Sequence, residues 1–245
     1  MKKLIIYFLF IVHQSLFSQV SIGEWGALTS SLKIKDVVFE NKIYAATEGG
    51  LLEIDDNEYK VLTTVNGLDG VDLLSIKSDQ NSHLWLGGAS PFGFLQIFDP
   101  LNNSSIQSFN FGLTSINDII ILDSLAFVLY ENGQDYGILK FMYNEKWEYR
   151  DNFKNFPNNM GSINCISSIY SSLIIGTGSG IFIGQLNNNL KDPNNWLALN
   201  DEINFQITSL QTKEDTILFC SQTKLYNYIV SENNFSEITF FNDLV

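Results

Sequence analysis

The sequence predicts an all-β architecture of repeated four-stranded antiparallel sheets, and three observations carry that prediction. A glycine followed by two apolar residues recurs as Gly50-Leu51-Leu52, Gly93-Phe94-Leu95, Gly137-Ile138-Leu139 and Gly180-Ile181-Phe182, with Lys224-Leu225-Tyr226 as a degenerate fifth copy; the steps are 43, 44, 43 and 44 residues. A second column, Ala46, Gly87, Leu129, Gly176 and Cys220, ends the strand before that turn at steps of 41, 42, 47 and 44. A third puts a short polar or acidic residue before an apolar one: Asp36-Val37, Asp72-Leu73, Asp118-Ile119, Cys165-Ile166 and Ser209-Leu210. Columns that keep step over five copies are the mark of a repeat architecture.

Each copy holds four short runs of strand-type residues separated by Gly, Asn, Asp and Ser, and none sustains the 3.6-residue period of a helix. In the second copy these are 73–78, 83–86, 94–98 and 106–109, and Asp79-Gln80-Asn81-Ser82 supplies turn-forming side chains between the first two. Four antiparallel strands in each repeat of this length make a propeller blade. Blades stacked about an axis bury both faces of each sheet, which fits the unbroken apolar runs Ile119-Ile120-Ile121-Leu122 and Leu173-Ile174-Ile175. The chain therefore reads as a β-propeller over 19–245, with blades at about 34–65, 70–110, 116–153, 162–200 and 206–240. The glycines of the first column suit hairpin turns that need positive φ.

Residues 20–30, with Trp25-Gly26-Ala27-Leu28, look like the outermost strand of a further blade, because Trp147 and Trp196 occupy that place in copies three and four. Rings often close by letting one chain end complete the blade built from the other. Copy five nevertheless has its own fourth strand, Phe235 to Thr239. Two accounts stand: an incomplete part of a larger ring whose missing blades a longer native chain supplies, or a five-bladed ring with a redundant strand. Ahead of all this, Lys2-Lys3, the apolar run Leu4 to Val12 and Ser18 before Gln19 make 1–18 a secretory signal peptide. Nine apolar residues span only about 14 Å as a helix, too short for a bilayer. No later stretch is long and apolar enough to cross a membrane, so the mature chain is expected to be exported to the periplasm or cell surface.

With 27 acidic against 14 basic residues the formal charge is -13, which argues against nucleic acid as a partner. The hydrophobic content of 45% supplies a core and argues against disorder.

Thr63-Thr64-Val65-Asn66-Gly67-Leu68, Leu73-Leu74-Ser75-Ile76, Asp79, Leu84-Trp85-Leu86-Gly87-Gly88 and Gly93-Phe94-Leu95 together resemble the two-component-regulator type of propeller repeat. Copy four, Ile174-Ile175-Gly176-Thr177 before Gly180-Ile181, looks like the same repeat. With the signal peptide, the early Trp25 and the Asn66-Gly67-Leu68 link, the chain is also similar to the amino-terminal propeller of PorZ-like proteins of the type IX secretion system in Bacteroidetes-type bacteria. That resemblance implies a ring of about seven blades, a second propeller and a carboxy-terminal sorting domain.

Few residues carry chemistry. His83 is the one histidine left after signal removal; a lone strand histidine beside Trp85 supports neither a zinc site nor a serine triad. Gly176-Thr177-Gly178-Ser179-Gly180 lies between two strands and reads as a hairpin turn, not a phosphate loop. Asp55-Asp56-Asn57-Glu58 lacks the spaced ligands of a calcium loop and reads as a solvated turn. Cys165 and Cys220 sit in different columns of neighbouring blades, either as a disulfide or as two small buried residues.

Asp36, Asp72 and Asp118 open the first strands of successive blades and would ring one mouth of the channel. They either accept backbone N–H bonds that fix each blade to the next, or converge on an ion, a sugar or, least favourably, a glycosidic bond. The expectation is a non-catalytic propeller without cofactor or metal that binds an envelope protein or glycan. A periplasmic sensor domain of a two-component receptor and a carbohydrate-active enzyme are the alternatives.

Overall fold

The computed structural model describes residues 29–56, 58–222 and 224–238. The signal peptide 1–18, the part of the Trp25 strand up to residue 28 and the chain from Thr239 onward lie outside them; Thr29 and Ser30 are not strand. Twenty strands form five four-stranded sheets, each in simple meander order. The chain is a β-propeller. Blade one comprises β1 (Ile34–Phe39), β2 (Ile43–Thr47), β3 (Gly50–Asp55) and β4 (Glu58–Leu62); blade two, β5 (Asp72–Ser78), β6 (Leu84–Ser90), β7 (Gly93–Asp99) and β8 (Ser104–Leu113). Blade three holds β9 (Ser115–Leu122), β10 (Leu125–Asn132), β11 (Asp135–Asn144) and β12 (Lys146–Phe153). Blade four holds β13 (Ile163–Ile169), β14 (Ser172–Thr177), β15 (Gly180–Gln185) and the short β16 (Trp196–Ala198). Blade five holds β17 (Ser209–Lys213), β18 (Thr216–Ser221), β19 (Lys224–Ile229) and β20 (Asn234–Glu237). All pairings are antiparallel, and the boundaries fall within a few residues of those read from the repeat.

Alternate residues of each strand point to opposite faces, so the sheets of blades two, three and four each present one face to the blade before and one to the blade after. Four apolar cores follow. Tyr44, Ala46, Leu51 and Leu62 of blade one meet Ile76, Leu84, Leu86 and Phe98 of blade two. Trp85, Leu95 and Ile97 meet Ile119, Ala126, Val128 and Phe141. Phe127, Leu129 and Ile138 meet Ile166, Leu173, Ile175 and Phe182, and Ile174 and Ile181 meet Leu210, Ile217, Phe219 and Tyr228. Each fully buried side chain of this size contributes about 1.5–3 kcal/mol relative to exposure, so the inter-blade cores dominate stability.

Two polar devices lock neighbours together. The buried carboxylate of Asp79, in the β5–β6 turn, accepts from Asn81 N at 2.9 Å, His83 N at 3.1 Å and, across the blade boundary, Trp147 Nε1 at 3.0 Å. The Trp147 ring stands edge-on to Trp85, with centroids 5.0 Å apart. Between blades one and two the Asn66-Gly67 link forms a single 3-10 turn capped by Thr63, and the buried Gln96 side chain holds it by bonds to Gly67 O at 2.8 Å and from Asp69 N at 3.0 Å. Thr63, Asn66 and Gly67 supply the local capping residues of that turn.

The glycine column has two different causes. Gly50 and Gly180 take φ of 130° and 127°, and a Cβ there would lie 2.2 Å from Leu62 O or 2.1 Å from Ile203 O. Both follow a threonine whose Oγ1 donates to the glycine carbonyl, Thr47 at 2.7 Å and Thr177 at 2.9 Å. Gly93 and Gly137 are not at positive φ; the space is taken by Ser115 N and Leu113 O in the first case and by the Tyr130 ring in the second. The expected hairpin role thus holds for Gly50 and Gly180, and close approach explains the other two.

Candidate functional site

The innermost strands β1, β5, β9, β13 and β17 line a central cleft of about 420 Å³. Register defines what faces it. Asp36 pairs with Ala46, Ser75 with Gly87, Asp118 with Leu129, Cys165 with Gly176 and Ser209 with Cys220, so these five residues occupy one structural column. The sequence reading put Asp72 in that column; Ser75 is the true counterpart. Irregularities at Asp72/Leu73 and Leu73/Ser75 in β5 shift the register, and Asp72 lies opposite Ser90, away from the cleft lining. The signal was present in the spacing: Ser75 stands 39 residues after Asp36 and 43 before Asp118, nearer the repeat length than the 36 and 46 given by Asp72.

Asp36 and Asp118 do line the cleft, and both are engaged. Asp36 Oδ2 accepts from Ile76 N of blade two at 3.0 Å and from Lys77 Nζ at 2.6 Å, while its Oδ1 accepts from Val37 N at 2.9 Å. Asp118 repeats the pattern two blade boundaries further on, with Oδ2 accepting from Ile166 N of blade four at 2.9 Å and Oδ1 from Ile119 N at 2.9 Å. Both carboxylates thus serve as backbone anchors between blades, the first of the roles open to them. Among the described residues no group of three His, Cys, Asp or Glu side chains is placed to hold a metal ion.

Burial of its carboxylate pushes Asp118 up to about 6, against the backbone N–H bond from Ile166 and the attraction of Lys77, both of which favour the charged form. A folded-state value above the unfolded one makes the native chain hold a proton that the unfolded chain has released. Stability from this group is full below about pH 4 and falls as pH rises through 6. Asp118→Asn is expected to remove that slope: relative to the parent it gains on the order of 2–3 kcal/mol between pH 4 and 7, read by urea unfolding at each pH. A difference independent of pH would refute the assignment.

The rest of the lining mixes aliphatic residues such as Leu74, Ile121 and Leu210 with polar ones, and sequence reasoning missed the polar set. Ser167 Oγ and Thr212 Oγ1 lie 3.0 Å apart, and Thr212 Oγ1 donates to Ser168 O at 2.7 Å, joining β13 to β17. Asn164 accepts from Ser162 Oγ at 2.9 Å and donates to Ile207 O at 2.8 Å; Asn117 accepts from Ser115 Oγ at 2.6 Å. Gln211, Thr208, Lys35 and Lys77 complete the polar wall. The available signal was Ser-x-Asn before the first strand's apolar residue, at 115–117 and again at 162–164. His83 is half-buried in the β5–β6 turn, its Nδ1 3.9 Å from Asp79 Oδ1, and the Asp55-to-Glu58 stretch joins β3 to β4. Cys165 and Cys220 are both free; burial raises the Cys165 thiol far above its usual range, with Asp118 adding to it.

No protein-family model and no curated protein matches this chain. Solved structures do. One is PorZ, an essential bacterial surface component of the type IX secretion system of Porphyromonas gingivalis: 20% identity and a TM-score of 0.65 over 88% of this chain and 29% of that one. What they share is the propeller. The extracellular domain of a protein described as a hybrid two-component system of B. thetaiotaomicron matches at 17% identity and a TM-score of 0.63, over 89% of this chain and 31% of that one. The WD40 propeller domain of Doa1 matches at 13% identity and 0.61, over 85% and 69%. At these identities the likeness is one of fold. The propeller spans less than a third of the length of the PorZ and two-component chains. No helix among the described residues is long and apolar enough to cross a membrane.

Proposed function

We propose that the propeller is a non-catalytic, exported interaction module whose central cleft binds an envelope protein or glycan, as part of a cell-envelope or type IX secretion assembly. The observation that carries this reading is the commitment of both cleft carboxylates. Asp36 is tied to Ile76 N and Lys77, and Asp118 to Ile166 N and Ile119 N, leaving Ser, Thr, Asn and Gln side chains and Lys35 to meet a ligand. Such a wall supplies directed hydrogen bonds without a free acid–base pair. The test is binding of the fluorescently labelled mature chain to the outer-membrane fraction of its own cell. Gln211→Arg and Asn117→Arg, which fill the cleft, are expected to weaken binding by about tenfold or more, while Tyr170→Ala, on the exposed β13–β14 turn, leaves it unchanged. Equal binding by all variants would overturn the reading. Release of reducing sugar ends that Asp118→Asn abolishes would select an enzyme instead. The similarity to two-component extracellular domains favours a second reading, a periplasmic sensor; a transmembrane helix and kinase in the same polypeptide would select it.

A further inference from the structure

Blade three departs from the repeat at its β10–β11 hairpin. In blades one, four and five the ladder ends at the glycine-column position, with Thr47 opposite Gly50, Thr177 opposite Gly180 and Ser221 opposite Lys224. In blade three Tyr130 opposite Gly137 is followed by two further pairs, Glu131 with Tyr136 and Asn132 with Asp135, before the chain turns through Gly133-Gln134. The blade fold does not require them. In repeat architectures such insertions gather on one face, often the binding one. The extension is held in place by Thr114, the link from blade two, which donates its N–H to Glu131 O at 2.9 Å and accepts at Oγ1 from Gly133 N at 2.9 Å. A wall fixed in advance loses little entropy when a ligand arrives.

The raised hairpin and the 154–162 connector into blade four wall a recess of about 430 Å³, and no residue that lines it also lines the central cleft. Tyr136 and Phe156 stand in it half-buried, both packed against the core between blades three and four, with the Phe156 ring centroid 5.5 Å from that of Trp196. Beside these rings lie Asn132, Gln134, Asp135, Lys154 and Asn158, all exposed, and none of these five side chains has a hydrogen-bond or ion-pair partner among the described residues. From this juxtaposition we infer that the recess is a binding site for a neutral pyranose sugar, separate from the cleft. Side-chain amides both donate and accept, as a sugar hydroxyl does. The electron-rich faces of Tyr136 and Phe156 suit the C–H face of a pyranose ring. A charged ligand is the weaker occupant, because either sign meets a like charge, Asp135 or Lys154, as well as an opposite one. The volume falls within the about 300–1,000 Å³ of small-molecule sites, and the assignment does not depend on what the cleft binds.

Saturation-transfer difference NMR on the mature chain tests the inference, with the methyl glycosides of glucose, galactose, mannose and N-acetylglucosamine as probes. At least one is expected to receive saturation at its ring C–H protons. Its Kd is expected to rise about tenfold in Tyr136→Ala, which removes a stacking face, and roughly threefold to tenfold in Asn158→Ala, which removes one hydrogen-bonding amide. Asn158 is exposed and outside every strand, so the second variant keeps the test decisive if Tyr136→Ala fails to fold. Gln211→Arg, in the cleft, is expected to leave the Kd unchanged. Absence of saturation in all four probes would overturn the inference, and so would a Kd unaltered by Asn158→Ala. A loss of signal confined to Gln211→Arg would place the sugar in the cleft instead, and tighter binding of glucuronate than of methyl glucoside would refute the neutral ligand. Cleft binding to the outer-membrane fraction is measured separately, so failure of one reading leaves the other standing.

Discussion

Gly180→Ala is expected to cost the propeller about 3 kcal/mol or more. The position needs a backbone at φ 127°, and the new methyl would sit 2.1 Å from the carbonyl oxygen of Ile203, an atom fixed by the connector from blade four into blade five. Strain alone costs about 1–3 kcal/mol, and the clash adds to it because backbone cannot swing aside as a long side chain can. Gly133→Ala separates the two effects. Gly133 also has positive φ, 69°, but nothing lies within 4 Å of its added Cβ, so only the conformational penalty of about 1 kcal/mol remains. Urea unfolding followed by tryptophan fluorescence measures both. Similar losses at 180 and 133 would show that the close approach to Ile203 carries no weight.

Removing the carboxylate of Asp79 should be as damaging, for a different reason. Asp79→Ala strips three donors of their acceptor: Asn81 N and His83 N in the turn, and Trp147 Nε1 across the boundary between blades two and three. The indole N–H is then left in a buried cluster against Trp85 and Phe141, and a buried unsatisfied donor costs about 1–3 kcal/mol before the turn's own bonds are counted. A total loss of about 3–4 kcal/mol is expected. Trp147→Phe in the Asp79→Ala background should recover part of it, because the stranded donor goes while an aromatic ring remains. Strictly additive losses would deny the coupling between the two residues.

These two sites also show how far a linear reading reaches. Asp79 and Trp147 were both visible, the one as a turn former and the other as a fourth-strand tryptophan, yet 68 residues separate them and nothing local announces their bond. The glycine column was legible as a period. Its division into a strained turn at Gly50 and Gly180 and a crowded contact at Gly93 and Gly137 depends on which atoms other strands bring near. The cleft was half legible. Asp36 and Asp118 were found, and Asp72 was taken in place of Ser75 because Asp72-Leu73 matches the acidic-then-apolar pattern while the register shifts that displace it are set by pairing with β6. The Ser, Thr, Asn and Gln wall escaped notice because such residues are common in turns and carry no chemical signature until five strands converge.

The sequence by itself determined the repeat, the strands, the blade boundaries and hence the propeller, because a two-residue alternation and a fixed period are properties of the chain read along its length. Only the tertiary structure decided which side chains share the cleft and which carboxylates are spent on neighbouring backbone. Those are relations between blades, set by register, twist and the approach of segments about 40 or more residues apart, and short-range patterns do not encode them.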